Sequence, residues 1–260
     1  MSAAPPAATV LILGGTAEAR ELAGRVAGRP GIRVVSSLAG RVRDPALPAG
    51  EVRIGGFGGA DGLAAWLLAQ DVSAVVDATH PFAQAISANA AAACAAAGIP
   101  LLTVVRPPWT AGDGDAWHEA ASLAQAAALL PSLGRRAFLT TGRQGLAEFA
   151  ALDGTWFLIR CVDPPAGPLP RSCEVILARG PYDTAAERAL MRGHQIDVLV
   201  TKNSGGELTA GKLRAARDLG IAVVMVTRPA RPDRPAGPAC ECAADAERWL
   251  LHRLRRSDGA

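Results

Sequence analysis

VLILGGTAEARELA, residues 10–23, is an apolar run that stops at two glycines and a threonine and resumes with helical spacing. A strand, a glycine turn and a helix N-terminus in that order present unpaired backbone N–H groups and the positive end of a helix dipole, which together favour a phosphate. Against the pattern G-x-G-x-x-G counted from Gly14, the second glycine is replaced by Thr16 and the third by Ala19, so the match is partial. The stretch reads as a pyrophosphate cradle, in which Gly14 and Gly15 permit close backbone approach and Thr16 adds a hydroxyl donor. A tight βα turn capped by Thr16 is the plainer alternative.

Outward from this turn, short β-rich runs alternate with Ala-rich helical stretches, the pattern of parallel sheets covered by helices. Strands are predicted near 9–13, 32–36, 51–54, 73–77 and 100–104, with helices near 17–28, 61–70 and 82–97. After RPPWTAGDGDAW (106–117), read as a hinge, a second series has strands near 136–141, 156–162, 174–179, 197–201 and 221–227. Its helices are placed near 145–151, 183–192, 206–219 and 242–256. The expectation is an α/β chain of two Rossmann-like domains, 1–108 and 109–260, with the active site in the cleft between them.

Composition narrows the function. The chain has 260 residues, half of them apolar, and a net charge of only +3, which favours a small anionic ligand over nucleic acid or a membrane surface. Five cysteines without paired CxxC spacing suggest neither a disulfide framework nor a metal site. No basic region followed by an apolar core opens the sequence and no apolar run reaches transmembrane length, so cytoplasm is the expected compartment.

In such folds ligands sit at the carboxyl ends of the strands. After the second strand stand Ser36 and Ser37, followed by Arg41 and Arg43, where NAD-preferring folds place a carboxylate. Hydroxyls and guanidinium groups suit a 2′-phosphate; two solvated arginines leaving a polar turn would look the same. GGFGG (55–59) surrounds Phe57 with glycines ahead of a helix capped by Asp61, and is either a surface for a flat ring or a flexible loop. DATHPFA (77–83) offers His80 to a nicotinamide or substrate, or else caps a helix with Thr79 or Asp77. In the second half FLTTGRQG (138–145) and VLVTKNSGGELT (198–209) repeat the strand, polar turn and helix order. Lys202 is one of two lysines against 25 arginines, so a compact, titratable ammonium is selected there, set against a solvated lysine beside a cap by Asn203 or Ser204.

GGTAEAR, GGFGGADGL, DATHPFAQAISANA, TTGRQ and TKNSGGELTAGKLRAARDLG, in this order, resemble the precorrin-6A reductase family of cobalamin biosynthesis from about Val10 to Pro229. The resemblance implies NADPH-dependent reduction of a ring D double bond to give precorrin-6B, or the same reaction on the cobalt-containing macrocycle. It implies cofactor contacts from Gly14, Gly15, Thr16, Glu18, Ala19, Ser36, Ser37, Arg41, Gly56, Phe57, Ala78 and Thr79. Arg143, Gln144, Lys202, Asn203, Ser204 and Gly205 are implied for the tetrapyrrole, with His80, Arg143 and Lys202 nearest the chemistry. No metal is expected, and room is left for transient contact with neighbouring pathway enzymes. A short-chain dehydrogenase is excluded because the only tyrosine, Tyr182, is followed at position 186 by alanine where lysine is required. The paired-histidine signature of dihydrodipicolinate-type imine reductases is absent. A non-catalytic NADP-binding regulator would account for the first half and leave the second row of polar turns unexplained.

Overall fold

The computed structural model describes residues 8–40, 47–229 and 237–257. The chain divides into two compact units, one made of Met1–Arg106 with Ala230–Ala260 and the other of Pro107–Pro229.

In the first unit, β1 (Ala8–Leu13) is buried along nearly its whole length, as a central parallel strand covered on both faces must be. It pairs in parallel with β2 (Ile32–Leu38) on one side and β4 (Val72–Asp77) on the other. With β3 (Glu51–Ile54), β5 (Leu101–Val104) and β12 (Ala239–Cys240) the order is β3-β2-β1-β4-β5-β12, the doubly wound nucleotide-binding arrangement. One face is covered by α1 (Ala17–Val26) and α7 (Ala243–Ser257), which bury Leu22, Val26, Ala246 and Leu250 with Val10, Ile12 and Val76. The other face is covered by α2 (Gly59–Ala69) and α3 (Gln84–Ala97), through Leu63, Leu67, Ala90 and Ala93.

The C-terminal segment corrects the expected boundary. Residues after Pro229 were expected in the second domain, but β12 completes the first sheet beside β5 and α7 packs on α1. Glu247 on α7 adds ion pairs to Arg25 and Arg29. A two-residue strand carries no periodicity, and position along the chain does not report which sheet edge is open.

The second unit contains β6 (Trp117–Ala120), β7 (Arg136–Leu139), β8 (Trp156–Cys161), β9 (Cys173–Leu177), β10 (Val198–Lys202) and β11 (Ala222–Val226), all parallel, in the order β6-β11-β10-β7-β8-β9. Its helices are α4 (Leu123–Leu133), α5 (Thr184–Gly193) and α6 (Gly211–Leu219). β6 and α4 were not expected: WHEA is an edge strand with polar centre, and α4 is an Ala- and Leu-rich run that Ser122 caps by accepting the amide of Gln125. The helix expected at 145–151 is a single 3-10 turn, Leu146–Phe149, and the one expected at 206–219 begins as a 3-10 turn at Glu207 before α6 proper. Inside this unit Arg160 on β8 forms a buried bidentate pair with Glu187 on α5, while its guanidinium stacks 3.7 Å from the ring of Tyr182.

Candidate functional site

In the first sheet the strand order reverses between β1 and β4, and a crevice opens at such a point because the chain leaves the two strands in opposite directions. The GGT turn and the DATH loop both emerge there. Gly14 donates its amide to Ser37 O at 2.9 Å, and Gly15 takes φ +105°, a backbone that side chains rarely tolerate, with open space where a Cβ would stand. Thr16 caps α1 by accepting from the Ala19 amide at 3.1 Å and donates its hydroxyl to Ala78 O at 2.7 Å. Its one proton is therefore committed inside the protein. The expected donor role toward a phosphate passes to the backbone N–H groups at the start of α1, which have no intrahelical acceptor.

A small hollow lies here, lined by Glu18, Ala78, Thr79, Pro81, Val104 and Arg106. Glu18, expected at the cofactor, is held by Arg106 at 2.8 Å. Asp77, buried at the end of β4, accepts from both the amide and the hydroxyl of Thr79 at 3.1 and 2.7 Å. It shapes the turn rather than capping a helix, since α3 begins only at Gln84 and its N-cap, Ala83, has no side-chain bond. The half-buried His80 accepts the Phe82 amide at Nδ1 over 3.3 Å, so the neutral ring carries its proton on Nε2. Beneath this loop, burial and then the charge of Asp77 push the Cys94 thiol up to about 12, which leaves it no nucleophilic role at neutral pH.

At the end of β2, Ser36 and Ser37 are both buried, and among the described residues the Ser36 hydroxyl has no hydrogen-bond partner. An orphaned hydroxyl costs stability unless something else bonds it. Arg41 and Arg43, expected beside them, lie outside the described residues. In the glycine loop, Arg53 on β3 donates to the carbonyls of Gly55 and Gly56 at 2.6 and 2.8 Å and lies 3.8 Å from the Phe57 ring centroid. The Phe57 ring is also edge-on to Trp66. α2 starts from Gly58, not from an Asp61 cap. A Cβ on Gly62 would fall 1.9 Å from Phe57 O, so the helix docks against a loop that is braced and not slack.

The second sheet reverses its order between β7 and β10. Their pairing brings out TTGRQ and TKNSGG side by side, Thr140 donating from both amide and hydroxyl to Val200 O at 2.9 and 3.1 Å. Arg143 and Gln144 thus share one end of a sheet with Lys202 and Ser204. Burial lowers the pKa of Lys202. The Thr141 hydroxyl is buried without a hydrogen-bond partner among the described residues. Asn203 and Gly205 face inward instead: the Asn203 carboxamide bonds the backbone of Trp109, and Gly205 is buried against Pro107 O.

Two nucleotide-type sheets with these turns are met again in known proteins. Residues 9–251 match the family model described as precorrin-6x reductase CbiJ/CobK. A precorrin-6A reductase of Rhodococcus erythropolis is 58% identical over 95% of this chain and 99% of its own length. A solved structure described as CobK precorrin-6A reductase superposes with a TM-score of 0.88 at 43% identity, covering 95% of this chain and 97% of the other. A cobalt-precorrin-6A reductase of Salmonella typhimurium is 30% identical over 85% of this chain and 87% of its own length.

The chain belongs to the precorrin-6x reductase family. It is therefore an oxidoreductase, and a reductase of this kind draws hydride from a nicotinamide cofactor. The first unit fits a dinucleotide on its own geometry: the Gly15 backbone, the N-terminus of α1 ahead of the capped Ala19 amide, and the orphaned Ser36 hydroxyl at the end of β2. Among the described residues no helix is long and apolar enough to cross a membrane. Arg53, Arg106, Trp109 and Arg228 support these loops and were not singled out from the sequence. Arg53 alone left a trace there, as a cation two residues ahead of a glycine pair.

Proposed function

We propose that this protein reduces precorrin-6A to precorrin-6B with NADPH, adding a hydride and a proton across a ring D double bond of the metal-free macrocycle. One observation carries the substrate: 58% identity, over nearly the whole of both chains, to a protein described as precorrin-6A reductase, against 30% to one described as acting on the cobalt form. The cofactor supplies two electrons and a hydrogen as hydride when bound. Everything else is asked of the protein's residues.

The α1 amides and Gly15 hold the pyrophosphate. Ser36, Ser37 and Arg41 bind the 2′-phosphate, where an acidic residue would repel it. Phe57 and Gly56, fixed by Arg53, border the adenosine side, and Ala78 and Thr79 border the nicotinamide. His80 presents Nε2–H to the reacting face. Arg143, Gln144, Lys202 and Ser204 bind macrocycle carboxylates from the second unit, with charge-assisted bonds for positioning. Reduction of a conjugated C=C–C=N system needs one proton besides the hydride; it comes from Lys202 or from a macrocycle ring nitrogen, while His80 contributes a hydrogen bond from Nε2–H. Anaerobic mixing of enzyme, NADPH and precorrin-6A tests the reading. Equimolar loss of NADPH and of the precorrin-6A chromophore is expected; no consumption of either overturns it.

A further inference from the structure

Both ends of the Asn203 side chain are used on one residue. Trp109 N donates to Oδ1 at 2.8 Å and Nδ2 donates to Trp109 O at 2.9 Å, as a neighbouring strand would bond it. The Trp109 indole N–H donates to Gly206 O at 3.0 Å, and the buried Lys212 ammonium lies 5.0 Å from the indole centroid. From the other side Arg228 donates to three carbonyls, those of Asn203 at 2.9 Å, Ser204 at 3.1 Å and Pro107 at 3.2 Å. Gly205, at φ +68°, sits so close that a Cβ would stand 2.1 Å from Pro107 O and 2.6 Å from the Arg228 guanidinium. The loop is thus fastened to the residues at which the chain enters and leaves the second unit.

The turn itself begins at Lys202. Ser204 N donates back to Lys202 O at 2.6 Å and Asn203 N donates to Val226 O at 2.8 Å, so the backbone of Lys202 has no freedom that Asn203 does not share. Lys202 has lost part of its hydration, and a long flexible ammonium in that state binds a carboxylate well only if its backbone is fixed.

We propose that Asn203 and Arg228 are positioning residues for Lys202: they act through Trp109 and the loop carbonyls, set where the Lys202 ammonium meets a carboxylate of the macrocycle, and touch neither substrate nor cofactor. This rests on the reductase reading above. It reassigns Asn203 from ligand to clamp.

Lys202 and Lys212 are the chain's two lysines, so amine labelling followed by peptide mass spectrometry reads the Lys202 environment directly and needs no substrate. In Asn203→Ala, in Asn203→Asp, which keeps the acceptor for Trp109 N–H and turns an oxygen on Trp109 O, and in Arg228→Lys, which keeps charge but loses the fork, Lys202 labelling is expected to accelerate several-fold. Turnover of the macrocycle should fall roughly 10- to 100-fold, the effect of displacing a positioned group by ~1 Å. NADPH affinity, measured by fluorescence titration, should stay within about twofold, a difference too small to mark a lost contact. If Asn203→Ala does not fold, the other two variants decide. Wild-type Lys202 labelling in a folded variant overturns the clamp, as does loss of NADPH affinity in step with turnover. Failure of the wild-type enzyme to reduce precorrin-6A would strike the reductase reading and leave the labelling result standing.

Discussion

The Thr16 hydroxyl donates to Ala78 O at 2.7 Å while accepting the Ala19 amide at 3.1 Å, so one side chain joins the turn after β1 to the loop after β4 and caps α1. The two loops that border the first crevice are therefore a single mechanical piece. Thr16→Ser keeps both bonds and should be nearly silent. Thr16→Ala removes a cap worth ~1 kcal/mol and leaves a buried carbonyl unbonded, for a total loss of about 2–3 kcal/mol. Thermal unfolding in the absence of cofactor checks the stability, and NADPH titration should show weaker binding in Thr16→Ala alone.

Ser36→Ala separates binding from folding. Removing a buried hydroxyl that has no partner among the described residues should leave the apo protein as stable as before or slightly more so. If that hydroxyl serves the 2′-phosphate, NADPH affinity should drop by up to about tenfold, the worth of one net hydrogen bond, and NADH affinity should not change. Equal weakening of both cofactors would move Ser36 to the shared part of the nucleotide.

Burial depresses the pKa of Lys202 below its ordinary value of 10.5. A carboxylate contact made by the ammonium is then lost as pH rises through that lowered value. The alkaline limb of kcat/KM for the macrocycle should set in below the usual lysine range, and Lys202→Arg should remove that limb while retaining part of the activity. The stability sign is opposite to that of a paired lysine: between the folded and unfolded pKa values the unfolded chain binds more protons, so stability rises with pH across that window.

Glu187→Gln tests the interior of the second unit. It leaves Arg160, now without its carboxylate, buried between Phe138 and Tyr182. Breaking a buried pair costs about 3–5 kcal/mol. Urea denaturation followed by tryptophan fluorescence should show the loss; replacing both partners with apolar residues of similar volume should recover much of it.

The fold was legible where burial imposes a pattern. β1, β4 and the helices after them announce themselves because a strand covered on both faces is a continuous apolar run and α1 carries a threonine cap. The return of Ala239–Ser257 to the first sheet was not legible, because what draws α7 back is the uncovered face of α1, and nothing in α7 itself names that partner. At the candidate site the residue types at the ends of the strands were visible and their partners were not. Asn203 in TKNSGG has the same chemistry whether it bonds a carboxylate or the backbone of Trp109. The choice is made by Pro107 and Trp109, about a hundred residues earlier in the chain. The same holds for Glu18, whose partner Arg106 stands at the far end of the first series of strands.

The source of the hydrogen added to the macrocycle tests the central claim most directly. NADPH deuterated on the transferring face of the nicotinamide, incubated anaerobically in ordinary water with the enzyme and precorrin-6A, should give precorrin-6B carrying a single deuterium in ring D by mass spectrometry and NMR, the second added hydrogen coming from solvent. A reduced macrocycle without deuterium, or labelled NADPH left unconsumed beside unchanged precorrin-6A, would contradict the account.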